Sequence, residues 1–173
     1  GLVGPPEAAP AEVMAQAGAL GPRTTIVHGT HLDAHEIELL ASSGTTVCAC
    51  PTTEADLGDG FINAVQLRQR GIALCIGSDS NVRIDPLEEL RELEGIARRQ
   101  GGERGIFSTD DLLAIGGANG ARALGITSWA ATAVDLEHPS LAFVAPEDVR
   151  AALVAGCAAD VLGAADTTDL ATT

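Results

Sequence analysis

Three short apolar runs set the limits on what this chain can fold into. Thr24-Thr25-Ile26-Val27, Thr45-Thr46-Val47-Cys48-Ala49-Cys50 and Ile72 to Gly77 start near residues 24, 45 and 72, about 20–27 residues apart. Each interval holds one helix-length segment. Parallel strands cannot be joined by a tight hairpin and need a crossover, usually a helix. The spacing therefore predicts repeated βα units and a parallel sheet. Two of the runs lead into groups that can do chemistry. The first reaches His28, and the third reaches Gly77-Ser78-Asp79-Ser80. In an α/β barrel, residues at the C-terminal ends of the strands carry the chemistry.

Local signals fill the intervals. Pro10 is suited to open a short helix over residues 10–19. His35 to Ser42 reads as a helix with Ile37, Leu40 and Ala41 on one face and Gly44 as its stop. Residues 52–60 read as a polar, glycine-containing loop, and Phe61 to Arg70 as a helix ended by Gly71. The firmest helix start is Asp85-Pro86 with Glu88 three residues after the cap. Leu87, Leu90, Leu93 and Ala97 follow at helical spacing. Ser108-Thr109-Asp110-Asp111 has the pattern of a capping box. After Gly125 the pattern weakens. A strand is expected within Ala130 to Leu136, a short helix within Pro146 to Val154, and a fraying tail over 158–173.

Composition narrows the class. With 46% hydrophobic and 20% charged residues among 173, the chain reads as globular. Aromatics are only 2%, so small and aliphatic side chains must fill the core. A net charge of −14 disfavours nucleic acid and anionic membranes as partners. Residues 1–6 hold no basic segment and no long apolar core, so neither a signal peptide nor a membrane span is expected. Cys48, Cys50, Cys75 and Cys157 form no C-x-x-C pair. Buried free thiols and a cytoplasmic setting are the expectation. A barrel of eight strands takes roughly 250 residues, more than this chain has.

Asp79 is the most telling candidate. A carboxylate directly after a buried strand must be solvated, paired or metal-bound, and Gly77, Ser78 and Ser80 leave room around it. His28 reads either as a locally hydrogen-bonded strand-end residue or as a ligand or electrophile. His31 and His35 are four apart, but the order His-Leu-Asp-Ala-His-Glu is not H-E-x-x-H, so exposure is expected. His138, before Pro139, reads as a loop residue. Neither a G-x-G-x-x-G motif nor a G-x-S-x-G elbow occurs.

Three segments in order carry a resemblance: Val27-His28-Gly29-Thr30-His31-Leu32, Cys50-Pro51-Thr52-Thr53-Glu54 continuing to Leu57-Gly58-Asp59-Gly60, and Gly77-Ser78-Asp79-Ser80. They resemble the second half of the amidohydrolase superfamily, metal-dependent barrels that deaminate or hydrolyse C–N bonds. Pro-Thr-Thr-Glu, Leu-Gly-Asp-Gly and Asp85-Pro86-Leu87-Glu88-Glu89-Leu90-Arg91 are similar to its formimidoylglutamate deiminase branch. Nucleobase deaminases and triazine chlorohydrolases usually carry Cys-Pro-x-Ser-Asn at the corresponding segment. The resemblance runs over about 20–125. Beyond that, only Val134 to Leu141 is similar to the family's outer β-domain.

The resemblance implies an α/β fold comprising strands 6 to 8 of a TIM-barrel hydrolase over 1–125. Residues 126–173 would be a truncated outer-domain remnant and flexible tail. It implies zinc as cofactor, Asp79 as metal ligand and proton shuttle, and His28 as the strand-6 catalytic histidine. The reaction implied is hydrolysis of formimidoylglutamate to N-formylglutamate and ammonia, in histidine degradation. The substrate is a small molecule, and the full-length protein is expected to be a homodimer. The family's His-x-His of strand 1 and its strand-5 His with a Glu three residues on are not in this chain. The expectation is therefore a piece of a longer protein, inactive alone, with an incomplete ligand set and open sheet edges. The alternatives are a piece of another amidohydrolase, or a non-catalytic domain that keeps the fold.

Overall fold

A computed structural model describes residues 8–128 and 131–164. Helix α1 (Pro10–Gln16) opens on Pro10 and leads through a turn to strand β1 (Thr25–Val27). Helix α2 (Ala34–Ser43) starts from a capping box. The Asp33 side chain accepts from Glu36 N–H at 2.8 Å, and Glu36 accepts from Asp33 N–H at 3.1 Å. Gly44, at φ +73°, ends it in the left-handed conformation that L side chains resist, and so turns the chain straight into strand β2 (Thr46–Ala49).

Helix α3 (Pro51–Leu57) follows β2 after a single residue. Helix α4 (Ala64–Gln69) is capped by Asn63 and leads to strand β3 (Leu74–Ile76). The long helix α5 (Pro86–Gly101) starts where Asp85 accepts from the backbone of Leu87 and Glu88, both at 3.0 Å. Then come α6 (Thr109–Gly116), α7 (Ala118–Ala123), strand β4 (Thr132–Val134), helix α8 (Val149–Gly156) and strand β5 (Leu162–Ala164).

Strands β1, β2 and β3 form one parallel sheet in sequence order, with Val27 opposite Cys48 and Cys48 opposite Cys75. This is the βα arrangement that the spacing predicts. The side-chain period of two sorts β2 by face. Val47 and Ala49 are fully buried on one side, while Thr46, Cys48 and Cys50 lie on the other. Helix α5 presents the expected stripe, with Leu87, Leu90, Leu93 and Ala97 all buried in the same cluster as the strands. The edge of β3 is not bare: the Asn119 side-chain amide, from α7, donates to Leu74 C=O at 2.8 Å. Such cover satisfies a ladder group that an open sheet edge otherwise exposes.

The C-terminal region is bound to α5. Arg91 donates to Cys157 C=O at 2.6 Å, and Ala159 N–H donates to Asp85 at 3.2 Å. Strands β4 and β5 pair antiparallel as a separate ribbon. No helix among the described residues is long and apolar enough to cross a membrane.

The largest departure from the sequence reading is α3, where a loop over 52–60 was expected. Pro51 sits at the first helical position, where its missing N–H costs nothing. Gly58 at φ +70° ends the helix. Two β-branched threonines hide a helix whose start and stop are both marked. Helix α4 begins at Ala64 rather than Phe61, because Asn63 caps it. Helix α1 stops at Gln16, short of residue 19. Strand β5 falls in what reads as tail, while Ala130 and residues 165–173 lie outside the described residues.

Candidate metal and acid–base centre

His28 directly follows β1, and its N–H donates to Cys48 C=O at 2.8 Å, so the ladder still holds its backbone. Asp79 stands three residues past β3. Both have left-handed backbones, at φ +70° and +49°. A side chain disfavours that region by about 1–2 kcal/mol. One other described residue that is not glycine shares it, the exposed Phe143. Sharp turns at the strand ends aim the two side chains at each other. His28 Nε2 and an Asp79 carboxylate oxygen lie 3.6 Å apart, although 51 residues separate them in sequence. Each side chain is a little over one-third exposed, so the pair faces a region that a small molecule can reach.

The other ring nitrogen is held by a residue to which the sequence assigns no role. Glu54, on α3, is 1% exposed. Its Oε1 accepts from Cys50 N–H at 2.8 Å and lies 3.3 Å from His28 Nδ1. A carboxylate at Nδ1 takes that nitrogen's proton as a hydrogen bond and leaves Nε2 free to face the reacting side. The other oxygen, Oε2, is buried with no hydrogen-bond partner among the described residues. Thr53, beside it, donates its hydroxyl to Ser78 C=O at 2.8 Å, which ties α3 to the Asp79 turn. Thr52 donates both N–H and O–H to Glu89 of α5, whose carboxyl is pushed up by burial against the opposing pull of these bonds.

Cys50 completes the group. Its sulfur, His28 and Asp79 each offer one donor atom, and the three atoms lie within 4.8 Å of one another. Among the described residues this is the single group of three or more such donors. A nitrogen, a sulfur and an oxygen are a donor set that zinc accepts, and three protein ligands with one open position are the pattern of catalytic zinc. The residues present therefore fit the metal, although the family's other histidines are not in the chain.

Cys48 and Cys75 adjoin this group on the neighbouring strands. Hydrogen bonds from Cys50 and Cys75 hold the Cys48 thiol well below its ordinary range, against the opposing effect of burial. Donating to Cys48, together with burial, pushes Cys50 and Cys75 up. All four cysteines are free, as expected. Their clustering is not readable as a motif, because it needs the register that sets Cys48 opposite Cys75. His31 lies in a turn, and His35 is exposed and faces Glu12 at 3.4 Å. His138 caps the short turn at Pro139. None of these three belongs to the donor group.

Comparison with known proteins gives this arrangement its context. The model of the amidohydrolase family matches residues 6–130. A formimidoylglutamate deiminase of Pseudomonas aeruginosa is 40% identical over 114 residues, covering 62% of this chain and 25% of that protein. A 5-methylthioadenosine/S-adenosylhomocysteine deaminase of Halobacterium salinarum is 34% identical over 122 residues, covering 69% of this chain and 28% of the other. The crystal structure of an adenosine deaminase from Xanthomonas campestris with bound zinc superposes with a TM-score of 0.77 at 25% identity, over 88% of this chain and 37% of that one. An amidohydrolase from Brucella melitensis gives a TM-score of 0.75 at 27% identity, over 91% of this chain and 37% of that one. The chain spans about a quarter of the length of the curated relatives it matches. The chain has the α/β fold of amidohydrolase TIM-barrel hydrolases and covers a part of that barrel.

Proposed function

The chain belongs to the amidohydrolase family, and on that premise we propose that it carries the acid–base half of a metal-dependent hydrolysis of a non-peptide C–N bond, in formimidoylglutamate. The observation that carries the reading is the 3.6 Å approach of His28 Nε2 to the Asp79 carboxylate at neighbouring strand ends. Thr52-Thr53-Glu54 after Cys50-Pro51, and the similarity to a protein named formimidoylglutamate deiminase, support the amidine substrate. A bound zinc ion would be held by Asp79, with His28 and Cys50 beside it, and would supply a Lewis acid and a water of lowered pKa.

The protein's own groups do the rest. Glu54 holds the His28 ring through Nδ1 and so sets the direction in which Nε2 faces Asp79 at the open side of the centre. Asp79 accepts the proton released by the attacking water and passes it to the departing nitrogen, which leaves as ammonia. The carbon keeps the water's oxygen, and N-formylglutamate remains.

A second reading, deamination of an aromatic ring, draws on the Halobacterium relative and follows the same proton path. Ammonia release from formimidoylglutamate, guanine and 5-methylthioadenosine by a zinc-supplied complete enzyme that carries this chain separates the two. We expect release from formimidoylglutamate. Release only from a ring substrate would replace this reading by the second, and release from none would remove both.

A further inference from the structure

We propose that the Cys50 thiolate is a metal ligand in its own right, so that His28, Cys50 and Asp79 form a three-donor site for a thiophilic divalent cation within this chain. The inference rests on the metal-dependent reading of the same centre and adds to it a sulfur ligand. Three observations lead there. First, the donor atoms of the three residues already lie within 4.8 Å of one another. In tetrahedral zinc, with bonds of about 2.0–2.3 Å, neighbouring donors sit roughly 3.3–3.8 Å apart. Side-chain rotation closes that difference, since Asp79 is more than one-third exposed.

Second, the charges in the centre call for a cation. His28 Nδ1 faces Glu54 Oε1 at 3.3 Å, and its Nε2 faces the Asp79 carboxylate at 3.6 Å. Two carboxylates, Glu54 and Asp79, thus flank one ring, an acidic grouping that suits a divalent cation. Glu54 adds a buried carboxylate whose second oxygen has no partner among the described residues. A buried carboxylate oxygen without a partner is costly, and positive charge in the centre lowers that cost.

Third, a single oxygen supports two of the ligands. Glu54 Oε1 holds the backbone of Cys50 and the ring of His28 together. A shared outer carboxylate of this kind orients metal ligands and strengthens their binding. On binding, the metal takes the sulfur lone pair and the thiol proton passes to water, so charge balances without any redox step.

The test is titration of the reduced 173-residue chain with cobalt(II), followed by absorption. The expected result is one cobalt per chain with a near-ultraviolet thiolate-to-cobalt charge-transfer band. Cys50→Ser and Cys50→Ala should each lose the band and weaken cobalt binding by more than about a hundredfold, beyond what loss of an outer partner costs. Circular dichroism should confirm that both variants are folded. Cys48→Ser and Cys75→Ser should keep the band, whereas Asp79→Asn should keep it with weaker binding. No band in the unmodified chain, or a band that survives Cys50→Ala and vanishes in Cys48→Ser, overturns the proposal. Ammonia release from formimidoylglutamate without any such band would overturn the sulfur ligand alone. A band without ammonia would overturn the functional reading alone.

Discussion

Exchanging His28 and Asp79 for glycine and for alanine should reverse the usual ranking of those two residues. At an ordinary position, glycine is less stable than alanine by about 0.5–1 kcal/mol, because the unfolded chain gains freedom. His28 and Asp79 stand at φ +70° and +49°, where a Cβ costs about 1–2 kcal/mol and glycine costs nothing. Setting the strain against glycine's unfolded-state freedom leaves glycine ahead by roughly 0.5–1 kcal/mol. The comparison is clean because both variants at position 28 lose the same Glu54 contact, and both at 79 lose the same approach to His28. The difference between them therefore reports the backbone alone. With a slope of about 2 kcal/mol per molar urea, the glycine variants should unfold about 0.3–0.5 M later than the alanine variants. Urea unfolding followed by circular dichroism, at unchanged slope, measures this. Alanine equal to or better than glycine at both positions would refute the claim that the two side chains are presented by a strained backbone.

Further outcomes follow from the groups around the pair. Glu54→Gln keeps an acceptor for Cys50 N–H but removes the charge facing His28. It should lower turnover about tenfold to hundredfold in steady-state ammonia release, and unchanged turnover would sink its positioning role. Glu89 has a folded pKa above its unfolded value of 4.5. It therefore lends stability that is fully present below the unfolded pKa and is lost as pH rises through the raised native value. Glu89→Gln, uncharged throughout, should gain on the parent in urea midpoint as pH rises above 4.5, and a constant gap would contradict the shift. Cys48, whose thiol is held low by its neighbours, should be the first cysteine alkylated by iodoacetamide at mildly acidic pH, as peptide mass mapping would read. Faster labelling of Cys50 or Cys75 would refute the direction of that hydrogen bonding.

How far the sequence reaches is visible in particular residues. The spacing of three apolar runs is enough for a parallel sheet, because only a crossover joins such strands at that interval. His28 and Asp79 stand out because each follows a strand where the chemistry of a barrel collects. Asp85 and Ser108 announce their helices through side chains that bond within one turn, and both caps form. What stays hidden depends on contacts between distant segments. Glu54 reads as one polar residue in a polar loop, and only the approach of α3 to β1 brings it 3.3 Å from His28. The thiol cluster needs the β2–β3 register, and the bond from Ala159 to Asp85 spans 74 residues. Neither leaves a trace in local pattern.

The immediate junction of β2 and α3 explains why a single carboxylate can serve two neighbours. Helical side chains lean toward the helix N-terminus. Glu54, one turn into α3, thus folds back over the residue where the strand ends and reaches Cys50 N–H. Pro51 makes that reach available, since a helix that begins directly after Cys50 leaves the Cys50 amide as a free donor. A longer loop would carry Glu54 away from both Cys50 and His28. The Thr53 hydroxyl on Ser78 C=O then locks the same turn to the segment that presents Asp79. The first turn of α3 thus contacts all three candidate ligands or the segments that bear them, and its exact placement sets their separation. A substitution that delays this helix, such as Pro51→Gly, should therefore disturb His28, Cys50 and Asp79 together while leaving the sheet paired.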